Sequence, residues 1–162
     1  MNGKWLALPM LGLVFGVSAY AVKLDDTLSP RQRVSVQLQW ANEINVGRKI
    51  ESSEFNALKA RIPGLEIRLN TTAYVGRIVQ IYLGLPLQVR GLKSPSAMRI
   101  EWQTRGVFAS GSTFPGSRGL IFQGVVPAAV MSDFFDFTIH VDGRYIDRGL
   151  QFDPQFELEI LK

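Results

Sequence analysis

The sequence predicts an all-β domain built from two packed antiparallel sheets, and three observations carry that reading. Apolar and polar residues alternate with a period of two in six stretches of the chain. Pairs containing Pro or Gly, which pre-set or free φ, punctuate the intervals between those stretches. Helical character is confined to Ser52 to Arg61, where Ser52 or Ser53 stands as a cap before Glu54-Phe55-Asn56-Ala57-Leu58-Lys59, enough for one or two turns.

The chain has 162 residues and opens with Lys4 followed by an uncharged apolar run from Leu6 to Val17. Ser18-Ala19-Tyr20-Ala21 follows, with small side chains at the two positions a signal peptidase pocket requires. A cleavable export signal over residues 1–21 is the expectation, because polar Lys23-Leu24-Asp25-Asp26 arrives before the apolar run reaches membrane-spanning length. Residues 22–162 then form one domain, without stable membrane insertion after cleavage. Val22 to Arg33 lacks a strand pattern and reads as a flexible arm.

The first alternating row is Arg33-Val34-Ser35-Val36-Gln37-Leu38-Gln39-Trp40, with Val34, Val36, Leu38 and Trp40 on one face. Leu65, Ile67 and Leu69 form the second row, and Val79, Ile81, Leu83 and Leu85 the third. Met98, Ile100 and Trp102 make the fourth, and Phe135, Phe137, Ile139 and Val141 the fifth. The sixth is Phe156, Leu158 and Ile160. Shorter strands are expected at Leu87 to Val89, Gly106 to Phe108, Gly119 to Val125 and Leu150 to Phe152. Reversals are expected at Pro63-Gly64, Ser94-Pro95, Pro115-Gly116 and Asp153-Pro154, and a two-residue hairpin at Asp142-Gly143. Eight to ten short strands at this spacing predict an immunoglobulin-like antiparallel β-sandwich, with a small β-barrel as the alternative.

Composition narrows function more than any motif does. The chain has no cysteine, which excludes disulfides and a lipid-modified N-terminal cysteine and suits bacterial export to the periplasm or cell surface. Its formal net charge is +4, reduced by one when Lys4 is removed. From Thr27 to Arg118 there are 13 Lys or Arg against 5 acids, whereas from Gly119 to Lys162 there are 7 acids against 3 bases. That asymmetry pairs within the chain, pairs head to tail between copies, or leans on an anionic surface. The cations are scattered singly instead of being interleaved with aromatics, so nucleic acid is not an expected partner.

Catalytic and metal constellations are not evident, and the expectation is a non-enzymatic protein without cofactors. His140 is the only histidine and lies out of phase with its apolar neighbours, on the wet face of its strand, with Asp136 four residues back as a salt-bridge partner. Zinc lacks ligands. Asp133, Asp136, Asp142, Asp147 and Asp153 are spread without a calcium-loop spacing, which leaves calcium undecided. Asp133 and Asp136 are near enough in sequence to be weighed as a glycosidase pair, and solvation explains them more simply. Gly106, Gly111, Gly116 and Gly119 match neither nucleotide fingerprint and read as a broad hairpin. Tyr82 and Phe134 fall on the wetter phase of their strands and are the candidates for glycan or partner contact.

The signal, the row Val34 to Trp40 and a final strand Phe156-Glu157-Leu158-Glu159-Ile160 that would border an open groove together resemble bacterial chaperone-usher fimbrial subunits. That resemblance implies an immunoglobulin-like exported domain completed by the N-terminal strand of another subunit, with a periplasmic chaperone as partner. It implies a structural role in a pilus or other surface appendage that grows head to tail. Paired within its own sheet, the same row is the first strand of a complete monomer. A monomeric binding or accessory module for glycans or proteins is therefore the alternative.

Overall fold

The computed structural model describes residues 21–30, 39–40, 57–147 and 149–161. Among these residues nine strands follow in chain order: β1 (Val22–Lys23), β2 (Gln39–Trp40), β3 (Ala57–Asn70), β4 (Ile78–Gly84), β5 (Met98–Thr104), β6 (Gly111–Thr113), β7 (Arg118–Val125), β8 (Val130–Asp142) and β9 (Gln155–Ile160). They form two antiparallel sheets, a four-stranded one ordered β1-β9-β4-β7 and a five-stranded one ordered β2-β3-β8-β5-β6. The edges of one sheet are not paired to those of the other among the described residues, so the closed-barrel alternative is not what forms. Three short 3-10 turns, at Thr72–Tyr74, Pro95–Ala97 and Gly143–Tyr145, accompany the strands among the described residues.

Two-residue periodicity does what the sequence requires of it. Val79, Ile81, Leu83, Phe156 and Leu158 point inward from the four-stranded sheet, and Met98, Ile100, Trp102, Phe135, Phe137 and Ile139 meet them from the five-stranded one. Each such side chain contributes about 1.5–3 kcal/mol relative to exposure, so these rows hold the two layers together. Trp102 is buried, and its indole N–H donates to the Ala109 carbonyl at 3.0 Å. A Cβ on Gly111 or Gly119 would lie 2.8 or 2.7 Å from that indole. These two glycines therefore answer to the packing of a tryptophan.

Several expectations need correction. Ala57 to Arg61 opens β3 instead of ending a helix, and residues 52–56 lie outside the described residues. Pro63-Gly64 does not reverse the chain but bulges within β3. Ile62 pairs with Phe137 and Leu65 with Phe135, which leaves Pro63 and Gly64 together opposite Asp136. One extra residue flips the inward phase, so Ala60 and Ile62 are buried before the bulge and Ile67 and Leu69 after it. Proline is tolerated there because a bulge needs no ladder hydrogen bond from it.

Asp142-Gly143 makes no hairpin, because the half of β8 that leads into it, Phe135 to Val141, is already flanked by β3 on one side and β5 on the other and has no edge to offer a returning strand. Its residues form the third 3-10 turn, with the Asp142 side chain accepting from the Arg144 N–H. Leu87 to Val89, Gly106 to Phe108 and Leu150 to Phe152 are loops that send Val89 and Phe108 into the core and pack Leu150 and Phe152 against it. The strand Gly111–Thr113, by contrast, has no alternating signal in the sequence.

The N-terminal segment is a further correction. Val22 pairs with Leu158 and Lys23 with Glu157, the Leu24 N–H donates to the Phe156 carbonyl at 2.8 Å, and Leu24 is only 3% exposed. The segment then crosses to the other sheet, where the Asp25 carbonyl accepts from the Asn70 N–H at 2.9 Å and the Ser29 hydroxyl accepts from the Arg68 N–H at 2.8 Å. Residues 22–29 are thus a strap from the β9 edge to one end of β3. At the other end of β3, Gln39 pairs with Lys59 and Trp40 with Leu58. The remainder of the row with Val34, Val36 and Leu38 lies outside the described residues.

Candidate functional site

The carboxylates weighed as a catalytic pair face opposite ways on β8. Asp133 is 5% exposed and accepts backbone N–H groups of Gly106 and Phe108 at 3.0 Å each, Phe134 at 2.7 Å and Arg105 at 3.3 Å. Its lone pairs are spent on fastening the β5–β6 loop, which delivers Phe108 to the core. Asp136 points outward and accepts the Gly64 N–H at 2.6 Å and the Arg105 Nη2 at 2.8 Å. The Arg105 guanidinium, with help from Gly64, holds the Asp136 carboxyl below the ordinary aspartate range.

His140 lies on the same outward face, between Lys59 of β3 and Arg99 of β5 in the ladder. Its Nε2 is 3.3 Å from Glu101 Oε2, so Glu101, rather than Asp136, is its acidic neighbour. Glu101 also pairs with Arg99. Among the other aspartates, Asp142 binds Arg144, and Asp147 stands 4.0 Å from Lys93. Among the described residues no three His, Cys, Asp or Glu side chains converge as metal ligands, and no helix is long and apolar enough to cross a membrane.

Among the described residues, part of the charge asymmetry along the chain is met by internal pairs. Arg118 of the basic segment reaches Glu157 at 3.1 Å and Glu159 at 2.6 Å, and Arg105 reaches Asp136. Arg118 also lies over the Tyr82 ring, 4.1 Å from its centroid, while the Tyr82 hydroxyl donates to Gln80 Oε1 at 2.8 Å. Partial burial first, and the Glu159 charge second, raise the Tyr82 phenol above its usual range. Tyr82 is therefore the centre of a polar lattice on the four-stranded sheet, with one ring face already covered.

Phe134 is 48% exposed and sits on the outward face of the five-stranded sheet, opposite Glu66 in the ladder. The two residues singled out for contact are consequently on different sheets, and no single ligand spans them. Phe134 has other company, since Asp136 follows two residues later on the same face. There the bulge opens a groove of about 310 Å³ lined by Arg61, Pro63, Gln103, Arg105, Asp136 and Thr138. Hydrogen-bond donors dominate this lining, and its one carboxylate is matched by Arg105. The groove leaves no local pattern in the sequence because it needs residues from three strands at once. Its one local signal is the Pro63-Gly64 pair lying between two apolar rows of opposite phase.

The edge beside β9, expected to be an open groove, carries β1 over Glu157 and Leu158. Trp40 is in β2, at the edge of the five-stranded sheet. Comparison with known proteins returns no matching family model, no curated relative and no matching solved structure.

Proposed function

We propose that the chain is an exported bacterial binding or accessory module, non-enzymatic and monomeric, with an immunoglobulin-like sandwich that presents its outward sheet faces to glycans or partner proteins in the periplasm or at the cell surface. The observation that carries the reading is the position of Leu24, buried against β9 by the chain's own N-terminal strand. An edge that the molecule covers for itself requires no donor from a neighbour. The attachment of residues 29 and 39–40 to the two ends of β3 supports the same economy at the other sheet.

The second reading is a subunit of a surface appendage assembled by strand exchange. The short hold of β1 favours it, since two ladder pairs and one apolar plug are readily supplied by another copy. Light scattering on the processed chain, beginning at Val22, decides between the two. The monomer reading expects one mass near that of a single chain, unchanged by a peptide spanning Arg33 to Trp40. Oligomers, or an unstable protein rescued by that peptide, overturn it.

A further inference from the structure

The bulge groove has a chemistry of its own. Of the outward-facing cations on the five-stranded sheet, Arg68, Arg99 and Arg105 are each paired to a carboxylate, on Glu66, Glu101 and Asp136. Arg61 lines the same groove as Arg105 and has no ion pair among the described residues. Gln103 and Thr138 add an amide and a hydroxyl to the lining. A guanidinium fork, flanked by further donors in a concavity, matches a carboxylate in charge and shape. Phe134 stands on the same face two residues from Asp136, about 6.8 Å along a strand, so its exposed ring flanks the groove as an apolar platform on which a sugar face can stack.

We propose that this groove binds the uronate units of an acidic polysaccharide, with Arg61 and Arg105 on the sugar carboxylate and Phe134 beneath an adjoining ring. The inference rests on the binding-module reading and names its ligand class. The Arg105–Asp136 pair keeps one guanidinium fixed before the ligand arrives, and Arg61, which faces the same carboxylate without an ion pair to it, leaves the groove one positive charge in excess. Because the site is open to solvent, added salt weakens it, screening charges over about 10 Å at 0.1 M.

Affinity electrophoresis of the processed chain through gels containing polygalacturonate or neutral dextran tests the proposal. Retardation is expected with polygalacturonate alone. Arg61→Gln should weaken it at least tenfold and Phe134→Ala several-fold, both with unchanged thermal midpoints. Arg90→Gln, the same charge change at a distant loop, should leave it intact. Equal retardation by dextran, equal loss in Arg90→Gln, competition by millimolar inorganic phosphate as effective as competition by galacturonate, or no retardation at all would each overturn the uronate site. None of these outcomes alters the mass measured by light scattering, so failure of the site and failure of the monomeric reading are separable.

Discussion

Asp136 on β8 accepts the backbone N–H of Gly64 on β3 at 2.6 Å, and this bond fastens the bulge that lets both halves of β3 face the core. Gly64 has φ of +64°, a conformation costly for other residues, so the bulge depends on glycine and carboxylate together. Asp136→Ala is expected to cost about 1 kcal/mol in urea denaturation, since the pair is partly exposed and screened. The folded-state pKa of Asp136 is depressed, so its contribution is present above the unfolded value and lost as pH falls through the folded one. Wild type should therefore lose stability to acid relative to Asp136→Ala below about pH 4, the ordinary aspartate range. Parallel acid curves would contradict this.

Asp133 has a larger task. Replacing it by alanine strands the buried N–H of Phe108, an unmatched donor costing about 1–3 kcal/mol, and releases the part-buried N–H of Gly106. Asp133→Ala should lose roughly 3 kcal/mol overall, with faster hydrogen exchange at those two amides. A loss below about 0.5 kcal/mol would mean that the carboxylate does not hold the loop.

Gly119 meets Trp102. Gly119→Ala places a methyl 2.7 Å from the indole and should destabilise by about 1–3 kcal/mol while changing Trp102 fluorescence. Gly124→Ala, strained by its φ of +152° but with the Phe122 ring as its nearest neighbour at 3.6 Å, should leave that fluorescence unchanged whatever it costs in stability. Identical spectral changes in both variants would rule out the close approach as the cause.

The N-terminal strap makes its own prediction through Leu24. A buried leucine replaced by alanine costs about 2–5 kcal/mol, whereas one on a free arm costs almost nothing. Leu24→Ala should fall in the first range by thermal or chemical unfolding, and a change under about 0.5 kcal/mol would return residues 22–29 to the status of an arm.

Much of this architecture is legible in the sequence because a strand with one buried face must alternate. The rows at Val79, Met98, Phe135 and Phe156 sit inside the strands expected of them. What local pattern does not contain is the identity of a strand's neighbours. Asp142-Gly143 has hairpin chemistry but follows a strand whose two edges are taken, and Pro63-Gly64 has turn chemistry but is pinned across the sheet by Asp136. Val22-Lys23-Leu24 carries too short a pattern to declare itself, and only the pairing with β9 gives it meaning. The groove was illegible for the same reason, since Arg61, Gln103 and Arg105 look like solvated side chains until β8 brings them alongside Asp136 and Thr138.

The N-terminal strand closes the edge of its own molecule, and a cross-link reads this closure directly. Lys23 and Glu157 are ladder partners, at a spacing of about 4.5–5.5 Å that a disulfide spans, and the chain has no other cysteine to interfere. Oxidation of the Lys23→Cys, Glu157→Cys double variant should yield a single-chain species on a non-reducing gel with both thiols consumed. A ladder of covalently linked multimers, or thiols that remain free, would contradict it.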